Sequence, residues 1–511
     1  MIKINRSIIK SPFCILAILL SMLYLCSCNG GVAEKPNILF IITDDQSWEH
    51  AGCYGDQAVR TPAIDKLAME GVTFNNAYCA APSCSPSRAG ILSGQDIYRL
   101  EEGGILTGFI RDKFVLFPKL LEENGYSIGF TGKGYWPRTK NVEGTIEEPI
   151  GKNFGKHKYQ SVPKGISRNN YPANFNDFLN QLPEEKPFFF WLGINEPHTP
   201  YEIDRGVNTE IDTSMIKVPA FLPDLPVTKL NMADYLSEIE WADKMVDSIM
   251  ILLEEHHLMH NTLIVFTSDN GMPFPRAKST LYDYGVHMPL ICKWDDKIKK
   301  GRVLDDPVSF IDFAPTFLEL AGVDIPDQMT GNSISKLLFS NKSGAIDEER
   351  EFVVSAFEKH TSCRAGQLGF PRRALHTKDW TYIRNFEPDR WPYGDPDVFI
   401  EDWGFYGECD PGRLKQYMME HQDDPEMKPY FDLCFTKVLT EELYNKNDDP
   451  AMVHNLVTDP AYESILKELR QKLVDYMKAT NDPRAQGNSP WDNYNLDKPD
   501  GQIIKSDNAE K

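Results

Sequence analysis

Positive charge is scarce in this sequence: 54 Lys and Arg residues face 75 Asp and Glu residues, which gives a formal net charge of −21. No stripe of Lys and Arg offsets this excess, so a nucleic-acid partner is not expected. The charge does not exclude an anionic substrate, because a binding site can be positive locally. Internal repeats are also absent, and 41% apolar with 25% charged residues is typical of a globular protein.

Metal-type Cys-x-x-Cys spacings are missing, which argues against a structural zinc site. Three of the ten cysteines lie before residue 29, and seven follow at positions 53, 79, 84, 292, 363, 409 and 434. Setting Cys84 aside leaves an even six. Export would permit disulfides among them, but no pairing follows from the sequence, and free buried thiols are an equally good interpretation.

The N-terminal segment has an apolar run that is too short to span a membrane. Three basic residues precede this run, residues 13–25, in an arrangement typical of a signal peptide. The run ends in Leu25-Cys26-Ser27-Cys28, which resembles a bacterial lipobox with Cys28 as the lipidated residue. Residues 1–28 are therefore predicted to be a lipoprotein signal peptide, with ordinary signal cleavage as the alternative. We expect an exported bacterial lipoprotein, periplasmic or at the cell surface, held to the membrane by its lipid anchor.

Strand-type and helix-type patterns alternate over residues 35–345, which predicts a large N-terminal α/β domain that would hold the active site. A shift of composition at residues 340–350 marks the domain boundary. A smaller domain is predicted at residues 350–482, with a long loop-rich section at residues 387–432. Residues 483–511 are polar and are predicted to form a tail, either poorly ordered or wrapped around the body.

Two all-apolar stretches, each read as a strand buried on both faces, end in pairs of polar residues. The pairs are Asp44 and Asp45 after residues 37–43, and Asp269 and Asn270 after residues 263–267. Open α/β sheets build their sites at the carboxyl ends of such strands. Three carboxylates and an amide are hard oxygen ligands that suit Ca²⁺ or Mg²⁺ rather than Zn²⁺. Adjacent carboxylates repel each other strongly unless a cation lies between them.

Two further strand patterns lead to basic side chains. The strand predicted at residues 126–131 runs into Lys133 between two glycines, and the strand at residues 188–194 leads to His198 between two prolines. Lys278 follows shortly after the second polar pair. A lone Lys or His is usually a surface or structural residue, but at a strand end His198 is a better than average candidate for acid–base chemistry.

The run Cys84-Ser85-Pro86-Ser87-Arg88 is the most specific motif of the chain. Pro86 suits the first turn of a helix over residues 86–93, so Cys84 is expected just ahead of a helix N-terminus. Such a terminus favours anions and lowers the pKa of a neighbouring thiol. With Arg88 beside it, the motif predicts an anion site.

These motifs, in this order, resemble those of type I sulfatases of the alkaline phosphatase-like superfamily, over essentially the whole chain after residue 28. The resemblance implies an α/β fold: a large mixed, mostly parallel sheet sandwiched by helices, with a smaller C-terminal α+β domain. Within the family, three segments are most similar to the N-sulfoglucosamine sulfohydrolase (heparan N-sulfatase) type. They are residues 84–89, residues 267–275 and Asn481-Asp482-Pro483.

The resemblance implies a modified nucleophile. Cys84 would be oxidised to Cα-formylglycine by a sulfatase-maturing enzyme, and its hydrate would attack sulfur while Arg88 holds it. A hydrate can expel the sulfate when its second hydroxyl is deprotonated, which an ordinary Ser or Cys cannot do. Ca²⁺, or less favourably Mg²⁺, would be bound by Asp44, Asp45, Cys84, Asp269 and Asn270.

The basic residues would act on the sulfate and on the leaving group. Lys133 and Lys278 would neutralise sulfate charge, and His198 would lie near the leaving group. Sulfatases usually carry a His two residues after the Lys of the Gly-Lys motif, whereas this chain has Tyr135. Either Tyr135 or His198 supplies the lost contact, or the leaving group is protonated differently.

Substrate specificity is expected to come from the C-terminal domain, whose loops would close over the carboxyl edge of the sheet. The residues predicted to bind substrate, besides Tyr135, are Glu358, His360, Arg372 and Arg373. Trp391 is a candidate for stacking against a sugar. For each of them, a surface charge or a core tryptophan is an equally good interpretation.

The sequence thus predicts a sulfatase that removes sulfate from a glycosaminoglycan-type glycan, with the N-sulfate of glucosamine as the favoured position. An O-sulfatase acting on a hexosamine or a uronic acid is the alternative within the family. A phosphomonoester or phosphonate hydrolase on the same scaffold is less favoured. A catalytically silent glycan-binding lipoprotein is the alternative outside enzymes, and the complete set of metal, nucleophile and lysine positions argues against it.

Overall fold

The computed structural model describes residues 35–106, 108–135, 144–146, 149–184, 186–493 and 503–505. The predicted signal peptide and its lipidation site Cys28 lie outside these residues. Within the described part of the chain, no helix is both long and apolar enough to cross a bilayer.

The strands, in chain order, are β1 Asn37–Thr43, β2 Val72–Phe74, β3 Ala77–Tyr78, β4 Ser127–Gly132, β5 Lys152–Asn153, β6 Phe188–Gly193, β7 Thr262–Ser268, β8 Leu290–Lys293, β9 Arg302–Leu304, β10 Val308–Ser309, β11 Val353–Phe357, β12 Arg372–His376, β13 Trp380–Asn385, β14 Val398–Ile400, β15 Glu441–Asn445 and β16 Ile503–Lys505. The α-helices are α1 Pro62–Glu70, α2 Cys84–Ser93, α3 Phe117–Glu123, α4 Tyr171–Leu179, α5 Arg205–Asn208, α6 Pro226–Glu255, α7 Asp283–Val286, α8 Phe313–Leu320, α9 Ser335–Leu338, α10 Arg413–Glu420, α11 Lys428–Phe435 and α12 Glu463–Ala479.

The central sheet has the strand order β5-β4-β6-β1-β7-β8-β2-β9. The pairs β5–β4, β4–β6, β6–β1, β1–β7 and β2–β9 are parallel, whereas β8 runs antiparallel to both β7 and β2. Because the all-apolar strands 37–43 and 188–193 occupy the middle of the sheet, both of their faces are covered. The predicted large, mixed, mostly parallel sheet is confirmed.

Helices cover this sheet on both faces, and the side chains of β1 alternate between the two resulting cores. Ile38, Phe40 and Ile42 pack into the core that includes residues of α3 and α8. Leu39 and Ile41 pack into the core that includes residues of α1, α4 and α6. The predicted sandwich of helices around the sheet is therefore also confirmed.

The C-terminal part contains a second, antiparallel sheet in the order β11-β12-β13-β15. Helix α12 packs on one face of it through residues spaced at helical intervals, Leu466, Leu469, Leu473 and Met477. This arrangement confirms the smaller C-terminal α+β domain.

The predicted loop-rich section 387–432 contains more regular structure than its Pro and Gly content indicates. Helix α10 and most of α11 lie within it, and β14 precedes them. Leu414 and Met418 of α10 and Phe431 and Phe435 of α11 are buried in one apolar cluster. These two helices form because their short amphipathic faces pack against the rest of the protein. The turn residues nearby hide this helical pattern in the sequence.

The tail predicted after residue 482 begins as ordered structure. Two short 3₁₀ helices, Pro483–Gln486 and Pro490–Asn493, follow α12. Trp491 is buried, and its indole N–H donates to the Glu101 carbonyl at 3.2 Å. Arg484 Nη2 lies 2.7 Å from Oε2 of Glu358, which directly follows β11 of the C-terminal sheet. Residues 483–493 therefore bind both domains.

All seven cysteines after residue 28 are free thiols in the structure. Six of them are buried, and only Cys53 is partly exposed. The sequence left disulfides and free buried thiols as alternatives, and the structure contains free thiols.

Four aromatic rings stack in a column that joins the two domains. Trp48 stacks on His287 with ring centroids 4.3 Å apart, His287 on Tyr78 at 4.9 Å, and Tyr78 on His376 at 4.4 Å. His376 is fully buried, and burial lowers its pKa to about 3, against the opposing effect of Asp283. The native state therefore holds this imidazole neutral.

We expect the free energy of unfolding to fall as the pH drops below about 6.5, the pKa of His in an unfolded chain. Native His376 takes up its proton only near pH 3, so between these values the unfolded state binds more protons and stability declines with falling pH. In His376→Gln, Tm measured by calorimetry should fall less steeply between about pH 7 and 5. His454→Gln, which alters a side chain that is 79% exposed, is the matched control. Identical slopes in all three proteins would contradict the prediction.

Candidate active site

Strands β1 and β7 are parallel neighbours that end at the same level, so the residues after them leave the sheet side by side. The Asp45 N–H donates to Asp269 Oδ1 at 3.2 Å, and Asn270 Nδ2 donates to Asp45 Oδ1 at 2.6 Å. Asp44, Asp45, Asp269 and Asn270 are all at most 1% exposed. The structure thus brings together the two polar pairs that the sequence places about 220 residues apart.

Asp45 has a left-handed backbone conformation, with φ at 71°. Successive side chains of an extended strand point to opposite faces, and the turn at Asp45 ends this alternation. Asp tolerates the left-handed region better than bulky residues do. As a result one oxygen each of Asp44 and Asp45 lies within 4.8 Å of the Cys84 sulfur and a ring nitrogen of His198.

This cluster offers oxygen atoms for a cation. Asp44 Oδ1 and Asn270 Oδ1 are buried and have no hydrogen-bond partner among the described residues. Leaving such an atom without a partner costs about 1–3 kcal/mol. Both oxygens of Asp269 already accept hydrogen bonds, but a carboxylate oxygen keeps a further lone pair. Carboxylate and amide oxygens are ligands for Ca²⁺ or Mg²⁺, so the residues present fit a divalent cation.

Cys84 is the first residue of α2, and the extended Ser83 is its N-cap. The helix therefore begins two residues earlier than predicted. Burial raises the pKa of the Cys84 thiol to about 12, although Lys133 and Lys278 oppose the shift. The lowered thiol pKa expected from the helix N-terminus is wrong for the unmodified residue, because desolvation outweighs the nearby positive charge.

Arg88 lies one helical turn after Cys84 and is fully buried. Its Nε lies 2.8 Å from Asp269 Oδ2, and its Nη1 donates to the carbonyls of Lys133 at 2.5 Å and Gly134 at 3.1 Å. Arg88 thus joins α2 to the ends of β7 and β4. Its Nη2 has no partner among the described residues and remains as a donor at the site.

Two lysines complete the charged groups predicted from sequence. Lys133 Nζ forms an ion pair with Asp44 Oδ2, and Lys278 Nζ lies 2.8 Å from Asp45 Oδ2. Burial disfavours the charge of both lysines, but the surrounding carboxylates outweigh it and raise the pKa of each. Both lysines therefore carry a positive charge at neutral pH.

His198 is the most accessible member of the site, with a third of its side chain exposed. Its Nδ1 lies 2.5 Å from the Thr199 carbonyl, which only accepts, so Nδ1 carries a proton. Nε2 faces the site, 3.4 Å from Lys278 Nζ and 3.7 Å from Asp45 Oδ2. A proton held at Nε2 would point toward a bound substrate.

The sequence analysis missed Asp410. Its Oδ2 lies 2.8 Å from Lys278 Nζ, its Oδ1 has no partner among the described residues, and it is 2% exposed. Asp410 follows Cys409 in the section predicted as loops, 132 residues from Lys278. The only local signal is the run Gly407-Glu408-Cys409-Asp410-Pro411-Gly412, which marks a turn but not a site.

Of the residues predicted to bind substrate, His360 reaches the site. Its Nδ1 lies 2.7 Å from the hydroxyl of Ser83, the N-cap of α2. Tyr135 does not: it is 8% exposed and its hydroxyl donates to the Gly108 carbonyl. Between Tyr135 and His198, the geometry therefore leaves His198 as the one that reaches the site. Trp391 packs beside the ring of Tyr406.

The other three predicted substrate residues are buried: Arg372 and Arg373 lie in β12, and Glu358 directly follows β11. Arg373 lies 2.6 Å from Asp482 and 2.8 Å from Glu358, and Arg372 lies over the ring of Phe370. A buried charge needs partners inside the protein. Glu358, Arg372 and Arg373 are thus used by the packing of the sheet, and the structure argues against their predicted contact with substrate.

Comparison with protein-family models gives two matches. Residues 36–323 match the sulfatase family, and residues 276–395 match the family described as "N-sulphoglucosamine sulphohydrolase, C-terminal". The first match contains every predicted metal and catalytic residue and covers more than half of the chain.

Similar proteins include an ulvan-active sulfatase of Formosa agariphila, 28% identical over 89% of this chain and 82% of that protein. The N-sulphoglucosamine sulphohydrolase of Homo sapiens is 25% identical over 88% of this chain and 91% of that protein. A structure solved in complex with its substrate D-glucosamine-2-N,6-O-disulfate has a TM-score of 0.61 at 20% identity, over 89% of this chain and all of that one. The fold, the carboxylate cluster and the family match lead to one conclusion: this chain belongs to the sulfatase family and is a sulfuric ester hydrolase.

Proposed function

We propose that this sulfatase acts on a glycosaminoglycan-type glycan and that it hydrolyses the N-sulfate of glucosamine. The observation that carries the substrate class is the match of residues 276–395 to the C-terminal part of N-sulphoglucosamine sulphohydrolases. This segment supplies two residues that lie at the site, Lys278 and His360. The similarity to the human N-sulphoglucosamine sulphohydrolase over 88% of the chain supports the same class.

We infer that Cys84 acts as formylglycine, made by a sulfatase-maturing enzyme. The aldehyde hydrate supplies a nucleophilic hydroxyl, which the thiol of an unmodified cysteine does not. Arg88 is placed to orient this residue: it lies on the next turn of α2, and its Nη2 remains available. Its bonds to Asp269 and to the Lys133 carbonyl hold the guanidinium in one position.

We propose Ca²⁺ as the resident cation, held by Asp44, Asp45, Asp269, Asn270 and position 84. When bound it supplies positive charge at the sulfate oxygens. Two lysines of the protein would add positive charge at the sulfate oxygens. Lys133 lies beside Asp44, and Lys278 lies beside Asp45. Donors fixed in a buried site stabilise developing negative charge without reorganising.

His198 is the residue we propose to serve the leaving group. Its Nδ1–H is engaged by the Thr199 carbonyl, so a proton for the departing nitrogen or oxygen would come from Nε2. The positively charged Lys278 Nζ lies 3.4 Å from Nε2. A bound sulfate group would offset this positive charge.

Export and anchoring remain proposals that rest on the sequence alone. We propose that residues 1–28 direct export and that Cys28 carries a lipid. The enzyme would then meet its glycan in the periplasm or at the cell surface of a bacterium.

We expect the tryptic peptide containing Cys84, from protein made in its native host, to be about 18 Da lighter than the thiol form. Sulfate release from N-sulfoglucosamine, followed by ion chromatography, should fall on the order of 10³-fold or more in Cys84→Ala. Cys53→Ala, which changes a partly exposed thiol outside the site, is the control and should keep full activity. An unmodified thiol together with no turnover would instead support a non-catalytic glycan-binding protein.

The same assay distinguishes the N-sulfatase hypothesis from the O-sulfatase hypothesis. Release of sulfate from N-sulfoglucosamine but not from 6-O-sulfated N-acetylglucosamine supports the N-sulfate proposal. The reverse pattern overturns it in favour of an O-sulfatase. A higher kcat/KM on an aryl phosphate than on an aryl sulfate would overturn both.

We expect Ca²⁺ to raise Tm, because it compensates buried carboxylates only in the folded state. At about 100 times the Kd, the gain is about 2.7 kcal/mol. Asp44→Asn should remove most of this shift, since it deletes a charge next to an unpartnered oxygen. The measurement is differential scanning calorimetry of chelator-treated protein with and without Ca²⁺.

Asp423→Asn is the matched control, because it changes an exposed carboxylate that is not among the site residues. It should shift with Ca²⁺ as the wild type does. No Ca²⁺-dependent rise in the wild type, or an equal rise in Asp44→Asn, would contradict the proposed cation site. A larger rise with Mg²⁺ would replace Ca²⁺ by Mg²⁺.

A further inference from the structure

Lys278 differs from the other two cations of the active site because it has two carboxylate partners. Its Nζ lies 2.8 Å from Asp45 Oδ2 and 2.8 Å from Asp410 Oδ2. Among the described residues, each of the other cations pairs with one carboxylate, Arg88 with Asp269 and Lys133 with Asp44. Asp410 is therefore a fourth carboxylate of the site, and it shares its cation with Asp45.

Asp410 is held at this position as a charged group. It is 2% exposed, and burial works against its negative charge, but Lys278 outweighs burial and lowers the pKa of this carboxyl. Lys415 Nζ donates to the Cys409 carbonyl at 2.7 Å and so holds the backbone directly before Asp410. Asp410 Oδ1 has no partner among the described residues. Such an oxygen reduces stability, so packing alone does not explain a carboxylate here.

The formal charges of these ion pairs leave one negative charge at the site. Three cations face four carboxylates, those of Asp44, Asp45, Asp269 and Asp410. The divalent cation proposed above would change the sum to one positive charge. An N-sulfate or a sulfate ester carries one negative charge, so its binding would bring the sum to zero. Without Asp410, the cation-loaded site would instead carry two positive charges.

Hydrolysis changes the charge of the bound sulfur group. The oxygen of water forms a new S–O bond, the S–N bond of an N-sulfate breaks, and the nitrogen takes up both protons of the water. The products are an ammonium group and sulfate, which carries two negative charges. In a buried site that is balanced for a monoanion, the second charge of sulfate has no cation to compensate it.

We propose that Asp410 is a specificity-determining residue, which adjusts the charge of the site so that it binds singly charged anions best. The inference rests on the sulfatase function and the cation proposed above and goes beyond them. Asp410 would favour N-sulfates and sulfate esters over phosphate monoesters, which carry close to two charges at neutral pH. It would also limit the affinity for the product sulfate and so favour its release.

The test compares two small anions of similar shape at neutral pH. Sulfamate carries one negative charge and contains the S–N bond of an N-sulfate, whereas sulfate carries two charges. Their Kd values are measured by isothermal titration calorimetry on Ca²⁺-loaded protein from the native host, in a chloride buffer. We expect the wild type to bind sulfamate at least as tightly as sulfate. A preference for sulfate of about tenfold or more would overturn the proposal, and this result needs no variant.

The variant Asp410→Asn removes the charge but keeps the shape of the side chain and an oxygen that can accept from Lys278. We expect the Kd for sulfate to fall roughly tenfold relative to the Kd for sulfamate, because the second charge of sulfate then meets an uncompensated positive charge. Asp402→Asn is the matched control. It removes an exposed carboxylate of the same segment and should keep the wild-type ratio.

The ratio of the two Kd values separates a charge effect from a structural one. If Asp410 only held Lys278 in place, Asp410→Asn would weaken both anions equally, and the unchanged ratio would overturn the proposal. An equal change of the ratio in Asp402→Asn would also overturn it, as would a wild type that binds neither anion.

The N-sulfatase function is tested separately, by the release of sulfate from N-sulfoglucosamine. Turnover of this substrate together with an unchanged Kd ratio in Asp410→Asn would refute the role of Asp410 and leave the N-sulfatase function standing. A changed ratio without turnover would refute the N-sulfatase function and leave the role of Asp410 standing.

Discussion

The burial of carboxylates at the end of two parallel strands is the constraint on which this structure depends. Asp44, Asp45 and Asp269 are each at most 1% exposed and lie next to one another. Ionised groups taken out of water are strongly destabilising unless they are paired and hydrogen-bonded. The surrounding elements must therefore deliver positive charge to this point, and much of the architecture follows from that requirement.

Three positively charged side chains compensate these carboxylates, and each comes from a different element. Arg88 comes from α2, Lys133 from the end of β4 and Lys278 from the segment after β7. Arg88 also accounts for the approach of α2 to the sheet, because its guanidinium bonds the carbonyls of Lys133 and Gly134. The helix that carries Cys84 is held in place by the charges that surround the reacting group.

The C-terminal domain is bound to the same network. Asp410 brings a fourth carboxylate to Lys278, and His360 contacts the N-cap of α2. Further out, Arg484 and Trp491 attach the end of the chain to both domains. Lys415 Nζ donates to the Cys409 carbonyl and so holds the loop that carries Asp410.

The sequence alone determined the central sheet, the two-domain order and most of the charged cluster. A continuous apolar run such as residues 37–43 predicts a strand that is buried on both faces of a sheet. Polar residues that follow several such strands meet at one edge of the sheet, because the strands are parallel. The motif around Cys84 added the proposed nucleophile through its resemblance to a known family. Local pattern and tertiary position agree for these residues, since strand ends define where they lie.

Only the tertiary structure decided the partners contributed by loops. Asp410 has no local signature, and it became part of the site because packing of α10 and α11 brings its loop to Lys278. The same holds in reverse for Glu358, Arg372 and Arg373, which look like surface charges in the sequence but pair or pack inside the C-terminal sheet. The pKa of Cys84 follows the same rule. Burial depends on everything that surrounds a residue, and sequence neighbours alone do not specify it.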